Sequence, residues 1–488
     1  LQYYDPAQRR SLIGGATTEH SYFGKQCFIA GSSAARYFAW DGMRAIDYLV
    51  ARPEVDAGRI GVTGISGGGT QTSYIAALDD RVAAAAPANY IAGFKRLLES
   101  IGPQDAEQNF NAGILHGIDH ADFLEVRAPR PTLVVATTRD FFSIQGTRET
   151  VTEAKEAFRL LGAENNLDMV EDDFGHGYTR KTREAIYRFF RKRLNHPGDS
   201  EDRDIPILPE AALRITATGQ VSDSPGGETV FSLNRALAER LASQLEASRK
   251  EIPSHLVRVS TAARRLSGYQ PVDKPAGAVF RGRYQREGYS LEMHVLRGEG
   301  NCLVPVLYLI PNGPGRHPAL IHLHPRGKAA AAVPGGEAEQ FAKCGYAVLV
   351  PDLSGMGENG RISDAVAFLA LQVGRSVAGV RATEILQCVR FLQSRDEIDP
   401  GRIAAVARGD LAVPLLHAAA FDPSIKQIAL FESLVSFQSA VMNRFYNLDP
   451  GALINNALTA YDLPDLMASL APRMLWVGNP VDQLQKPA

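Results

Sequence analysis

Apolar positions along the chain follow two periods in turn. Short apolar runs bounded by turn residues alternate with longer segments whose apolar residues recur every three or four positions. Strand and helix in alternation predict mostly parallel sheets covered on both faces. In the first part the pattern gives a helix Arg36–Ala51, a strand Ile60–Thr63, a glycine-rich turn and a helix Thr70–Leu78. A buried strand Pro131–Ala136, a helix Val151–Leu161, a strand Leu167–Glu171 and a closing helix Lys181–Leu194 follow. Further on, strands are predicted at Val304–Ile310, Ala319–His324 and Tyr346–Val350, then a helix at Val380–Gln393. Between the two parts, His196–Pro225 is rich in Pro, Asp and Ser and reads as a linker. A helix after it carries Leu233, Leu237, Leu241 and Leu245 four apart, a stripe expected to pack onto a domain.

The chain also repeats itself. Ala35–Ile60, ending in Arg-Pro-Glu-Val-Asp-Ala-Gly-Arg-Ile, resembles Ala378–Ile403, ending in Arg-Asp-Glu-Ile-Asp-Pro-Gly-Arg-Ile, at an offset of 343 positions. The same offset relates Asp79 to Asp422 and Ala128-Pro129-Arg130 to Ala471-Pro472-Arg473. An offset held over about ninety positions is far too long for a solenoid and predicts a tandem domain duplication. The expected fold class is therefore α/β, with two domains, each a mostly parallel sheet flanked by helices. Their expected extents are 1–195 and 276–488, with 196–275 as linker and amphipathic helix. Residues 276–358 supply first strands before the shared helix of the second copy, whereas the first copy has only 1–28 there. The first domain is thus expected to lack its N-terminal strands, and the chain to be a piece of a longer protein cut inside a domain at both ends.

Composition narrows the function classes. With 45% hydrophobic and 22% charged residues, collagen-like, coiled-coil and disordered readings are excluded. Lys plus Arg (52) nearly balances Asp plus Glu (54), and no block of like charge occurs. Neither nucleic acid nor a membrane surface is therefore expected as a partner. No run of about 18 apolar residues predicts a membrane-spanning helix. Cys27, Cys302, Cys344 and Cys388 lie far apart without CxxC spacing, against a zinc ribbon or disulfide scaffold, and each is expected to be a small core residue. Leu1 is followed by nothing like a signal peptide, which leaves the compartment open.

The candidate chemistry centres on Gly64-Ile65-Ser66-Gly67-Gly68, between the strand Ile60–Thr63 and the helix Thr70–Leu78. A nucleophilic serine on a sharp strand-to-helix turn sits in a strained conformation, and its neighbours two residues away crowd the turn unless they are glycine. The Gly67 N–H then points toward a developing oxyanion, aided by the helix N-terminus. The bland alternative is a glycine-rich helix-entry loop. A serine nucleophile needs a base, and the base an orienting carboxylate. Asp140 follows the strand Pro131–Ala136, and His176, in Phe-Gly-His-Gly-Tyr, follows Leu167–Glu171, so the order Ser, Asp, His falls at successive strand ends. The rival acids Glu171, Asp172 and Asp173 lie on the approach to His176 itself and read as solvated or structural.

Other histidines read as structural. His116 and His120, four apart, could share a helix face, but no third ligand is evident and Gly117 weakens the helix. His322-Leu323-His324, before Pro325-Arg326-Gly327, stands where an oxyanion loop would lie rather than at a metal site. No metal or cofactor is expected. In the second copy, the position equivalent to Ser66 is Gly409, so the nucleophile is missing, although Asp482 lies near the acid position. Asp410 is one residue out of register for a carboxylate nucleophile, and this copy is expected to be inactive.

These residues resemble a family. Thr18–Cys27, Trp40-Asp41-Gly42 and Gly64–Gly69, with 117–122 (GIDHAD), 138–142 (TRDFF) and 173–178 (DFGHGY), are similar to bacterial α/β-hydrolases of the acetylxylan-esterase kind. Those are relatives of carbohydrate esterase family seven, dienelactone hydrolase and the prolyl-oligopeptidase-like catalytic domains. The resemblance covers the first copy, with the second a degenerate paralogue. It implies deacylation of acetylated sugars such as xylan by Ser66, Asp140 and His176, with Gly67 as one oxyanion donor. It further implies a small-molecule or polysaccharide ester as substrate and a secreted or periplasmic location. Two alternatives stand beside it. A prolyl-oligopeptidase-like peptidase would call for a propeller gate, and no blade-like repeat is present; a scaffold with both copies silent is the other. Sugar, acyl length and oligomeric state are not fixed by the sequence.

Overall fold

The computed structural model describes residues 2–221, 227–275 and 277–488. Two compact units form: Leu1–Gly24 with Ser33–Val230, and Lys25–Ser32 with Phe231–Ala488.

The first unit opens with a two-stranded hairpin, β1 (Tyr4–Asp5) and β2 (Arg10–Ser11). Its main sheet is β3 (Ile60–Ile65), β4 (Val82–Ala88), β5 (Thr132–Thr137) and β6 (Leu167–Asp172), side by side in that order and all parallel. Each strand feeds a helix: Gly67–Leu78 after β3, Phe94–Ser100 after β4, Ile144–Leu160 after β5 and Arg180–Arg193 after β6. Parallel strands buried on both faces usually read as Val/Ile runs. The inner strand β4 is instead Val-Ala-Ala-Ala-Ala-Pro-Ala, almost wholly buried, which is why composition did not betray it. Small side chains there let Ile186 of the last helix pack with Ala86, Ala88, Leu133 and Val135 in one core cluster. Ile46, Ile60, Ile75 and Val82 form another.

Helix starts lie earlier than the apolar pattern suggested. The helix after β3 begins at Gly67 rather than Thr70, and that after β5 at Ile144 rather than Val151. In the second case Ser143 accepts the Gly146 N–H, a side-chain cap that adds polar turns before the apolar face begins. The pair His116 and His120 does not converge on anything. His116 sits in an exposed 3₁₀ turn closed by Gly117 in the left-handed region (φ 78°), whereas His120 starts the helix His120–Glu125 and is buried. The His120 ring stacks on Tyr90 (4.6 Å) and its Nδ1 accepts the Ala92 N–H at 3.1 Å.

The second unit holds an eight-stranded sheet ordered β14-β13-β12-β10-β11-β9-β8-β7. These are β7 (Ala278–Arg286), β8 (Tyr289–Arg297), β9 (Leu303–Pro311), β10 (His317–Leu323), β11 (Ala347–Pro351), β12 (Ile398–Arg408), β13 (Ile425–Phe431) and β14 (Met474–Gly478). Strands β11, β10, β12, β13 and β14 run parallel, and β9, β8 and β7 form an antiparallel edge. Elements recur between the units at the 343-residue offset: helix Ala34–Val50 with Val377–Gln393, β4 with β13, and helix His120–Glu125 with Leu463–Ala468. The last pair also shares its capping box, Asp119 with Asp122 and Asp462 with Asp465.

The division at 195 and 276 needs correction. Residues 196–221 and 227–230 belong with the first unit, where the Arg183 guanidinium donates twice to Asp202 (2.6 and 2.9 Å) and the Tyr187 hydroxyl once. Lys25–Ser32 and the helices Val230–Arg249 and Ile252–Ser267 cluster with the second unit instead, save Val230 itself. Within that unit Lys25 pairs with Asp364 (3.0 Å), while Arg249 and His255 both donate to Asp465. In the helix Val230–Arg249 the buried face is Asn234, Ala238, Leu241 and Leu245, and Leu233 is exposed. A strict spacing of four drifts around a 3.6-residue helix, so its first member leaves the face. Residues 222–226 of the expected linker and residue 276 lie outside the described residues. Cys27 and Cys388 are buried as expected, but Cys302, in a turn before β9, and Cys344, ending a short helix, are exposed. No single described helix is long and apolar enough to cross a membrane.

Burial pushes the His120 imidazole down to about 4, against 6.5 in the unfolded chain. The unfolded chain therefore binds the proton first, so this contribution to stability is complete above pH 6.5 and is lost as pH falls toward about 4. Denaturant unfolding of the first unit between pH 7 and 4.5 should show that slope, and His120→Gln should flatten it; an equal slope in both proteins refutes the assignment.

Candidate active site

Strand β3 ends at Ile65 and a helix begins at Gly67, leaving one residue, Ser66, to turn the chain. Ser66 does so at φ 59°, ψ −120°, a region an L-residue enters at a cost of about 1–3 kcal/mol. The turn is tied on both sides: Ser66 N–H donates to the Ala88 carbonyl (3.0 Å), and Thr70 N–H to the Ser66 carbonyl (2.9 Å). A methyl group at Gly64 would lie 2.6–2.8 Å from the backbone of Gly68, so Gly64 is obligatory. At Gly68 a methyl would meet nothing within 4 Å, so the crowding expected there falls on Gly69, whose methyl would lie 2.3 Å from the Ala88 carbonyl.

Asp140 stands just beyond β5 and His176 just beyond β6. Both Asp140 oxygens lie 2.9 Å from His176 Nδ1, which fixes the imidazole with Nε2 free. The Asp140 side chain is almost wholly buried and that of His176 is about a quarter exposed. Phe141 stacks on the imidazole at 4.3 Å, and the Phe142 N–H donates to Asp140 Oδ1. The two loops are laced together: Thr138 N–H to Asp172, Arg139 N–H to Phe174, and the Thr137 hydroxyl to Gly175 at 2.8 Å. Asn89, one residue past β4 and also at positive φ (50°), donates to Thr137 Oγ1, linking the loop beside the Ser66 turn to the end of β5, which leads to Asp140. No hydrogen bond joins Ser66 to His176 among the described residues; such contacts tighten when substrate binds.

The rival acids have other partners. Glu171 takes two hydrogen bonds from Arg148, Asp173 pairs with Arg139 (3.0 Å), and Asp172 faces Lys181 (3.6 Å). In the second unit Gly409 follows β12 at φ 62°, in step with Ser66 but without a side chain. The residue in register with Asp140 is Gln483, while Asp482 accepts the Leu484 and Lys486 N–H groups inside a local turn.

One group beside the elbow escaped the sequence reading. The Glu107 carboxylate lies against Gly67, where a methyl would come within 2.6 Å of Oε1, and His20 and Asp105 adjoin it. Burial and the charge of Asp105 push the Glu107 carboxyl up to about 7, with His20 opposing. No spacing announces this cluster, because His20 comes from a helix far upstream of the loop that carries the two acids.

Residues 35–111 match the family model for acetyl xylan esterase (AXE1). Over 175 residues the chain is 24% identical to YtaP of Bacillus subtilis (strain 168), provisionally named a hydrolase; the match covers 35% of this chain and 58% of YtaP. Similar solved structures include a Bacteroides fragilis NCTC 9343 protein provisionally described as an acetyl xylan esterase. It is 19% identical with a TM-score of 0.45, over 53% of this chain and 77% of that one. Acetyl xylan esterase 1 from Thermoanaerobacterium sp. JW/SL YS485 is 14% identical with a TM-score of 0.36, over 48% and 80%. The chain thus spans less than two thirds of the curated relative it matches.

Gly64→Ala should lower the melting temperature of the first unit by several degrees or prevent folding, whereas Gly68→Ala should leave folding intact. Scanning calorimetry on both variants checks this, and equal effects would contradict the steric account of the turn.

Proposed function

We propose that the chain is an acetylxylan-esterase-like α/β-hydrolase acting as a serine carboxylic-ester hydrolase. It removes short acyl groups, acetyl first, from carbohydrate such as xylan. The observation that carries the reading is Ser66 held at positive φ between strand and helix, with the Asp140–His176 pair at the ends of the two later strands. Ser66 Oγ attacks the ester carbonyl while His176 Nε2 takes its proton and then returns it to the leaving alcohol. Asp140 holds the proton of His176 on Nδ1, so that Nε2 is the basic nitrogen. The Gly67 N–H, at the first position of a helix, is one donor to the oxyanion. Water, activated by His176, then releases the acyl group from Ser66.

The recurrence of elements at one offset supports a second unit derived by duplication, and Gly409 supports its silence. All turnover should then pass through Ser66. Hydrolysis of p-nitrophenyl acetate should fall about a thousandfold or more in Ser66→Ala and in His176→Ala, with the far-UV circular dichroism of the parent retained. A fluorophosphonate probe should label Ser66 alone. Equal rates in parent and Ser66→Ala, with no labelling of folded protein, would replace the esterase by a scaffold. Release of acetate from acetylated xylan tests the substrate class.

A further inference from the structure

His20, Asp105 and Glu107 gather their side-chain donors around one point, and His20 Nδ1 has no hydrogen-bond partner there. Glu107 is 7% exposed, and its Oε2 faces His20 Nδ1 across 3.2 Å. His20 Nδ1 is buried without a hydrogen-bond partner, although Asp105 Oδ2 lies 3.4 Å and Glu107 Oε2 3.2 Å away. Buried polar groups left without hydrogen bonds are uncommon and call for an explanation, an ion among them. One donor atom from each of the three residues falls within 4.8 Å of the other two. Tetrahedral ligation at about 2.0–2.2 Å would place neighbouring ligand atoms roughly 3.3–3.6 Å apart, close to the two distances from Nδ1.

The surroundings hold these donors in place. Glu107 N–H donates to Asp105 Oδ1 at 2.8 Å, which turns Oδ2 toward His20. Asn109 Nδ2 donates to the Asp105 carbonyl and stiffens the same loop. The His20 ring packs edge-on to Phe38 (5.1 Å) and tilted against Phe23 (5.9 Å), which limits its freedom to reorient.

We propose that His20 Nδ1, Asp105 and Glu107 form a divalent-cation site beside Gly67. One imidazole and two carboxylates suit Zn²⁺ best among common dications, and three protein ligands leave a fourth position for water. A cation there neutralises the carboxylate that lies against Gly67. If Gly67 serves the oxyanion as proposed above, the cation removes a negative charge from beside it. That catalytic consequence rests on the esterase reading, whereas the binding site itself does not.

The full chain, freed of any affinity tag, stripped with chelator and titrated with Zn²⁺ alone, should bind one equivalent by calorimetry and retain it on desalting, read by elemental analysis. His20→Gln and Glu107→Gln, each with the circular dichroism of the parent, should weaken binding at least about a hundredfold, beyond the 10–100-fold typical of losing an outer-shell partner. Co²⁺ in the parent should give the intense visible absorption of a four-coordinate site, a readout needing neither variant. Absence of a bound equivalent, equal binding in parent and variants, or the weak spectrum of six-coordinate Co²⁺ would each overturn the site. An esterase unaffected by Zn²⁺ that still binds it would overturn only the catalytic consequence. A bound equivalent in a protein whose Ser66 proves inert would leave the site standing and remove the esterase.

Discussion

The first unit is organised around one backbone constraint: Ser66 must cross from strand to helix in a single residue at positive φ. Nothing local stabilises that conformation for a serine, so its neighbours have to impose it. The parallel register of β3 on β4 brings Ile65 opposite Ala88, and the Ala88 carbonyl accepts the Ser66 N–H. Gly69 then approaches the same carbonyl more closely than any side chain would permit. The alanine-rich β4 belongs to the same solution, because its small residues allow close packing on both faces of the strand that anchors the turn. Strain at Ser66 is thus offset by tertiary contacts, as expected where backbone geometry serves a site.

From this turn the remainder of the candidate triad follows by strand order. In a parallel sheet all C-terminal strand ends lie along one edge, so residues just past β3, β5 and β6 converge however distant they are in sequence. Asp140 and His176 meet across adjacent strands. The hydrogen bonds from Thr138 and Arg139 to the His176 loop make the pair a property of the sheet edge rather than of two free loops. Phe141 covers one face of the imidazole, which limits its rotation and its access to water.

Much of this was legible in the sequence because the signals were local. Gly64-Ile65-Ser66-Gly67-Gly68 declares a strand-to-helix turn, although the crowding expected at Gly68 falls on Gly69, and Asp140 and His176 follow apolar runs that read as strands. What escaped was carried by packing or by distant contact. Beyond Val82, strand β4 lacks the β-branched residues that announce a strand, since its burial on both faces selects for smallness. The helix starts at Gly67 and Ile144 were hidden because caps and elbows are made by side chains, not by periodicity. The assignment of 196–221 and 227–230 to one unit and of Lys25–Ser32 to the other depends on ion pairs such as Arg183–Asp202 and Lys25–Asp364, which no window of sequence contains. The cluster at Glu107 is the extreme case, joining a helix to a loop more than eighty residues away.

The second unit offers a comparison, because its chain also takes a positive φ at the position in register with Ser66. Gly409 adopts φ 62° at the position in register with Ser66, and for glycine that conformation carries no steric penalty. A turn kept only for the sake of the fold would be served best by glycine in both units. A methyl at Gly409 would meet nothing within 4 Å, so space does not forbid a side chain there; only the backbone angle disfavours one. In the first unit the less favourable residue stands at that angle, at the edge of the sheet to which the paired Asp140 and His176 also belong. A hydroxyl where glycine would be more stable supports the proposed use of Ser66 as nucleophile. In the second unit glycine makes the turn at 409 without that strain, and Gln483 stands where the first unit has Asp140.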